Sequence, residues 1–195
     1  MNMKNQILSR RRGFTLVELL IVIAIIMVLA ALGFAGVTRA LKRAKSVQSL
    51  NLATSLAQSI NSFYDEYGSL PATTPTKDPL STSAAGGVDV LRVLLAQETG
   101  NTPLNTRGIR FLDPKQAKGK KGGIDFGANG ATLTAMYDAF GFPFYIAFDE
   151  DYNDEIQNPD KVKATDPEIL RGFKAVVYSA GADGKLNTTD DIKTW

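Results

Sequence analysis

The chain has no cysteine and no histidine among its 195 residues. The first absence excludes disulfide staples, although an exported protein need not use them. The second excludes Ser-His and Cys-His nucleophilic catalysis and the commonest zinc sites. Proline and glycine are missing from residues 38–67, so nothing in that stretch interrupts a helix. Acidic residues are scarce at one end. Residues 1–50 hold eight lysines and arginines but a single acid, Glu18, while the remainder carries a net charge of −5. With 44% hydrophobic and 22% charged residues, the composition is that of a folded chain rather than a disordered one. The length suits one globular domain and an extra element.

What stands out instead is RRRGFTLVELLIVIAIIMVLAALGFAGV, residues 10–37. Residues 19–37 contain neither charge nor proline. At ~1.5 Å per residue such a helix crosses a hydrocarbon layer of ~30 Å. The basic start resembles the n-region of a secretory signal, but the apolar run is long for an h-region. No small-residue cleavage site follows it before Thr38 and Arg39. The segment is therefore expected to remain in the membrane. Four basic residues lie on each side of it, so charge bias alone does not orient it. This basic end points to a membrane surface rather than DNA as partner, and a solvated helix face accounts equally for residues 39–45. Glu18 is the anomaly. A carboxylate inside a spanning helix is costly and normally has a partner, unless it sits solvated at the interface.

The residues RRRGFTLVELLIVIAII resemble the class III signal of type IV pilins and type II secretion pseudopilins. That signal is a short basic leader ending in glycine, then Phe-Thr-Leu-x-Glu, then an apolar helix. The resemblance implies cleavage between Gly13 and Phe14 by a prepilin peptidase on the cytoplasmic side, and N-methylation of the new Phe14 amine. It divides the chain into a leader (1–13), a transmembrane and filament-core helix (14–38), and a periplasmic head (39–195). It orients the chain as a single-pass inner-membrane protein with the N-terminus inside. It also gives Glu18 an assembly role with Phe14. One subunit's carboxylate meets a neighbour's freed amine, an attraction strengthened by low dielectric that sets axial register between copies.

Beyond residue 38 the helix is expected to continue to Tyr67. Leu50, Ala53, Ala57, Ile60, Tyr64 and Tyr67 recur at steps of three and four, widened by Leu56 and Phe63. Gly68 and Pro71 end it. Gly33 and Gly36 are weak points where it could bend. Residues 67–87 read as a loop, and residues 88–100 as a short helix burying Val90, Leu91, Leu94 and Leu95. Residues 101–123 read as mostly loop, basic around residues 115–121. A phosphate or nucleic-acid role is conceivable there, but a mobile solvated loop is the simpler account. Residues 142–149 and 173–180 are aromatic and β-branched strands, and 131–138 a weaker third. They lie too close in sequence for crossover helices. The expected fold is α+β and pilin-like, a long N-terminal helix packed against a small antiparallel sheet.

Two acidic stretches are candidate metal sites. In SAGADGKLNTTDDI, Asp183, Asp190 and Asp191 converge around a glycine-bearing loop, and hard oxygen ligands of this kind suit Ca²⁺. On the residues alone, a simple acidic turn accounts for the pattern as well. The stretch resembles the C-terminal loop of the G-type major pseudopilin, in which Ca²⁺ holds the loop. That resemblance implies side-chain ligands at Asp183, Asp190 and Asp191, with backbone carbonyls at Ala180 and Thr188. YDAFGFPFYIAFD is similar to the same family's Asp-Pro-Trp-Gly-x-Pro-Tyr motif at Asp138, Gly141 and Pro143, and departs from it at Ala139, Phe140 and Phe144. The second stretch, DEDYNDEIQNPD (149–160), has the oxygen spacing of an EF-hand loop but Asp154 where the turn needs glycine. It is expected to be a solvated hairpin tip rather than a second metal site.

The resulting expectation is a structural subunit, not an enzyme. It would assemble as a helical homopolymer, a type II secretion pseudopilus driving folded proteins across the outer membrane. Its partners would be minor pseudopilins, the inner-membrane assembly platform, the prepilin peptidase and membrane lipid, with no nucleic acid. A type IV pilin of a surface or DNA-uptake pilus is the alternative.

Overall fold

The computed structural model describes residues 13–72, 76–128 and 130–195, with backbone alone at 32–36. The leader expected at 1–13 lies outside the described residues except for Gly13. The chain divides into two compact units, Met1–Leu41 and Lys42–Trp195. Helix α1 (Leu16–Tyr67) contributes to both.

In the first unit the described apolar side chains are exposed all round the helix, from Phe14 (78%) and Leu16 (86%) to Leu29 (63%). A helix apolar on every face has no amphipathic stripe to bury, and its surface calls for lipid or other helices. Among the described residues no helix is long and apolar enough to cross a membrane. The expected span includes residues 32–36, whose side chains lie outside the described residues. The bend considered at Gly33 and Gly36 falls on the same residues.

The second unit is an α+β head. In chain order it adds β1 (Leu80–Ser81), α2 (Ala85–Leu94), β2 (Gly123–Asp125), β3 (Ala135–Tyr137) and β4 (Tyr145–Phe148). β5 (Glu155–Gln157), β6 (Ile169–Arg171), β7 (Ala175–Ser179) and β8 (Ile192–Lys193) follow. The main sheet is antiparallel in the order β1-β4-β7-β8, and β2-β3 and β5-β6 form separate antiparallel pairs. The two strands expected most strongly, β4 and β7, form its centre, with Ile146 opposite Val177 and Tyr145 opposite Tyr178. The third, β3, pairs with β2 in its own ribbon rather than joining that sheet.

Side-chain alternation splits the sheet between two cores. Ile146, Phe148, Ala175 and Val177 join the main core with α1 and α2. Ala147 and Val176, one residue out of step, pack with Ile156 and Leu170 of the β5-β6 pair under Phe173 and Trp195.

The buried stripe of α1 is rotated from the expected one. Ala53, Leu56, Ile60 and Phe63 are wholly buried, whereas Leu50 is 40% exposed. Two buried serines share this side of the helix. Ser49 donates to the Lys45 carbonyl (2.9 Å) and accepts from the Ala139 amide (2.9 Å). Ser59 reaches the carbonyls of Ser55 (2.8 Å) and Phe111 (2.9 Å). A small hydroxyl satisfied in this way costs little to bury. Leu56→Ala should therefore cost about 2–5 kcal/mol and Leu50→Ala under about 1 kcal/mol in urea unfolding. Equal costs would contradict the observed packing.

Helix α2 starts three residues earlier than expected, at Ala85. The glycines that read as loop serve a close approach, since a Cβ on Gly87 would lie 2.0 Å from the Ser81 carbonyl oxygen. The basic run at 115–121 is a hydrogen-bonded turn rather than a mobile loop. Ala117 N donates to Ile124 O (2.7 Å), Lys118 N to Lys121 O (3.1 Å) and Gly122 N to Asp138 O (2.7 Å).

Candidate functional site

At the start of α1, Thr15 and Glu18 form a reciprocal cap. The Glu18 carboxylate accepts from the Thr15 amide (2.9 Å) and hydroxyl (2.9 Å), and the Glu18 amide donates to Thr15 Oγ1 (3.2 Å). This is a capping box, Thr-x-x-Glu, which satisfies helix-end donors that would otherwise be orphaned. Glu18 thus has an intrachain partner, Thr15, besides the interchain one expected of it, and the four-residue signature of the cap is legible in the sequence. Gly13 and Phe14 precede the cap in non-helical backbone, with open space around Gly13.

In the head, the loop from Ala180 to Asp191 links β7 to β8 and brings three carboxylates together. Asp183, Asp190 and Asp191 each offer an oxygen, and the three oxygens lie within 4.8 Å of one another. The fold of the loop explains the convergence. Gly181 has φ +61°, and a Cβ there would stand 2.1 Å from the Asp190 carbonyl oxygen. Only glycine allows the two ends of the loop to approach this closely.

Each acid is also held by the chain. Asp183 accepts from Lys185 N (2.8 Å), Asp190 from Ala182 N (3.0 Å), and Asp191 from Thr188 N (2.7 Å). Thr188 faces the acids with its hydroxyl, 3.0 Å from Asp190 Oδ1 and 3.1 Å from Asp191 Oδ1. Its carbonyl, the atom expected to be a ligand, accepts the Asp191 amide at 3.4 Å. Ala180, the other backbone candidate, is buried at the end of β7. Lys42 Nζ lies 3.4 Å from Asp190 Oδ2. Burial pushes the Asp190 carboxyl up, but the Thr188 hydroxyl, the Ala182 amide and Lys42 outweigh it and hold the group below the usual carboxylate range. The donor set is entirely oxygen, three of the groups ionisable, and such hard anionic ligands fit Ca²⁺ and not a soft metal.

The second acidic stretch is built differently. Asp149 is fully buried and accepts from Asn153 N (2.9 Å) and Asp154 N (3.1 Å). Asp154 takes the left-handed conformation that the missing glycine would have supplied, with φ +63°. Lys174 Nζ bridges Asp149 (3.1 Å) and Asp154 (2.6 Å). Together these carboxylates, Asp154 foremost, hold the Lys174 ammonium above the ordinary lysine range. The protein's own cation thus pairs with the first and sixth residues of the EF-hand-like stretch, while the tip itself, residues 151–154, is exposed as expected. Lys174→Met strands Asp149 as a buried unpaired charge, and should destabilise the head by about 3 kcal/mol in denaturant unfolding. A change below about 1 kcal/mol would show that Asp149 does not depend on the lysine.

Asp160, at the end of the same stretch, is also wholly buried. Lys193 Nζ lies 3.2 Å from its Oδ1 and donates to its carbonyl oxygen (2.6 Å), tying β8 to the β5-β6 pair. Burial raises its carboxyl to about 6, with Lys193 pulling down and Asp191 pushing up. Asp138 closes the turn after β3. Its Oδ1 accepts amides from Phe140 (2.9 Å), Gly141 (2.7 Å) and Phe142 (2.9 Å), and its Oδ2 accepts the Ser179 hydroxyl (2.9 Å).

A helix that begins apolar on all faces and capped by Thr-x-x-Glu, then continues beneath a small antiparallel sheet, defines a pilin-like architecture. Residues 8–34 match the model of the prokaryotic N-terminal methylation motif. That match supports a type IV pilin-like protein, whose motif family is structural and not enzymatic. The motif implies membrane anchorage, cleavage by a prepilin peptidase and self-assembly into filaments. No solved structure matches the chain.

Proposed function

We propose that the chain is the major subunit of a type II secretion pseudopilus, with one Ca²⁺ held by the loop between β7 and β8. After cleavage between Gly13 and Phe14, the apolar helix 14–38 spans the inner membrane and then forms the core of a periplasmic filament. The head faces the periplasm. Minor pseudopilins and the inner-membrane assembly platform are its partners. The observation that carries the secretion reading is the convergence of Asp183, Asp190 and Asp191 on a glycine-hinged loop. A bound Ca²⁺ would neutralise their mutual repulsion and clamp β8 to β7. Asp183, Asp190, Asp191 and the carbonyls of Ala180 and Thr188 are its ligands in this reading.

The helix supplies the rest. Its exposed apolar surface requires lipid or copies of itself. Release of residues 1–13 frees an amine at Phe14, and the Glu18 carboxylate exchanges its Thr15 contacts for the amine of a neighbouring copy. Deleting the gene in its host tests the assignment. The expected result is accumulation of normally secreted folded proteins in the periplasm, with surface pili and DNA uptake intact. Loss of pili or of DNA uptake with secretion unchanged would replace this reading with that of a type IV pilin.

A further inference from the structure

One cluster of lysines in the head has no place in the calcium or helix chemistry. Lys45, Lys115, Lys118 and Lys121, with Gln48 and Gln116, line an open pocket of about 380 Å³. No carboxylate lines it, and its only hydrophobic side chain is Ala139. Five other lysines of the head are paired. Lys42, Lys77, Lys161, Lys174 and Lys193 each stand within 4 Å of a carboxylate. None of the four pocket lysines does so among the described residues.

The cluster is also preformed. Gly119 (φ +58°) and Lys120 (φ +59°) make a tight two-residue turn of the type that favours left-handed backbone. The turn is closed between Lys118 and Lys121 and pinned to the strand before Asp138. It is held beside α1, where the Gln48 side-chain amide occupies the space that a Cβ on Gly122 would take. The chain therefore pays the repulsion of converging ammonium groups in its folded state, which favours an anion as ligand.

We propose that this pocket binds phosphate, presented by the headgroups of an anionic lipid bilayer. Three observations select that source. Lys45 follows the last residue of the uncharged run by only eight positions in sequence, and lysines so placed meet the headgroup layer. The lining offers no aromatic or apolar anchor of the kind that carries protein–protein binding. Its lining has no arginine to read base edges, and the one ring beside it, Phe140, is already covered by Lys45 Nζ at 5.9 Å from its centroid. The proposal rests on the membrane-anchored reading above, and it is independent of calcium and of the filament's purpose.

The test places the full chain in nanodiscs of phosphatidylglycerol or of phosphatidylcholine and follows lysine acetylation by mass spectrometry. In phosphatidylglycerol, labelling of Lys45, Lys115, Lys118 and Lys121 should slow at least about fivefold, and added salt should restore it. The exposed Lys185 serves as the internal control and should label equally in both lipids. Lys115→Gln, Lys118→Gln and Lys121→Gln together should return Lys45 to its phosphatidylcholine rate. Equal labelling of the four lysines in the two lipids overturns the proposal. So does equal protection in phosphatidylcholine by inorganic phosphate alone or by a single-stranded oligonucleotide alone, which would assign the pocket to a soluble anion or to nucleic acid. A chain that enters neither disc removes the membrane anchorage and this assignment with it. A chain that enters both without protection removes this assignment alone.

Discussion

Glu18→Ala is expected to leave the chain cleaved at Gly13 and retained in the membrane while lowering filament yield about a hundredfold or more. The cause is stranded charge. In the proposed filament each freed Phe14 amine would sit among apolar helices, and the only acid within residues 1–50 is Glu18. Removing one member of a pair in such surroundings leaves the other charged, desolvated and unpaired, a penalty that amounts to more than two decades in an association equilibrium.

The cap at the start of α1 sharpens the test, because alanine at position 18 also removes the capping box. Thr15→Ala removes the capping hydroxyl but keeps the carboxylate. It should cost the helix about 1 kcal/mol and leave assembly close to normal. Filament counts by electron microscopy distinguish the two. If Thr15→Ala abolished filaments and Glu18→Ala did not, Glu18 would be a capping residue and nothing more.

Calcium should raise the melting temperature of the full chain in detergent by about 5–10 °C over EDTA. A ligand binding only the folded form at a hundred times its dissociation constant adds about 2.7 kcal/mol, which for a domain of this size is a shift of that order. Asp183 is the informative residue. Among the described residues its carboxylate accepts the Lys185 amide alone and is exposed, whereas Asp190 pairs with Lys42 and the Ala182 amide. Asp183→Asn should therefore abolish the calcium response while leaving the melt in EDTA within about 1 °C of the parent. An Asp183→Asn chain that still responds fully, or a parent chain that does not respond, would reduce the loop to an acidic turn.

The parts of the head that could be read from the sequence are those long enough to repeat. The second half of α1 shows helical spacing over more than four turns, and β4 and β7 are runs of apolar and aromatic residues buried on both faces. β1, β2, β5, β6 and β8 have two or three residues each. That is too short for a period of two to register, and they exist because neighbours pair with them. The burial of Ser49 and Ser59 on α1 leaves no trace in a hydrophobic period, since hydrogen bonding to backbone, not residue type, decides it.

The acids divide in the same way. The 183–191 cluster was legible because its members are close in sequence and a glycine marks the turn. The partners of Asp149 and Asp160 were not, because Lys174, just before β7, and Lys193, in β8, lie 25 and 33 residues away. Asp154 shows the opposite error. Its unfavourable backbone conformation was counted against the turn, and the Lys174 bridge stabilises it there.

The central claim is that this molecule is a precursor of a polymer whose freed N-terminus meets the acid of the next copy. Mass spectrometry of the chain recovered from native-host filaments addresses it most directly. The account predicts that the recovered chain begins at an N-methylated Phe14. A chain that retains residues 1–13 and is found only outside any fibre would contradict it.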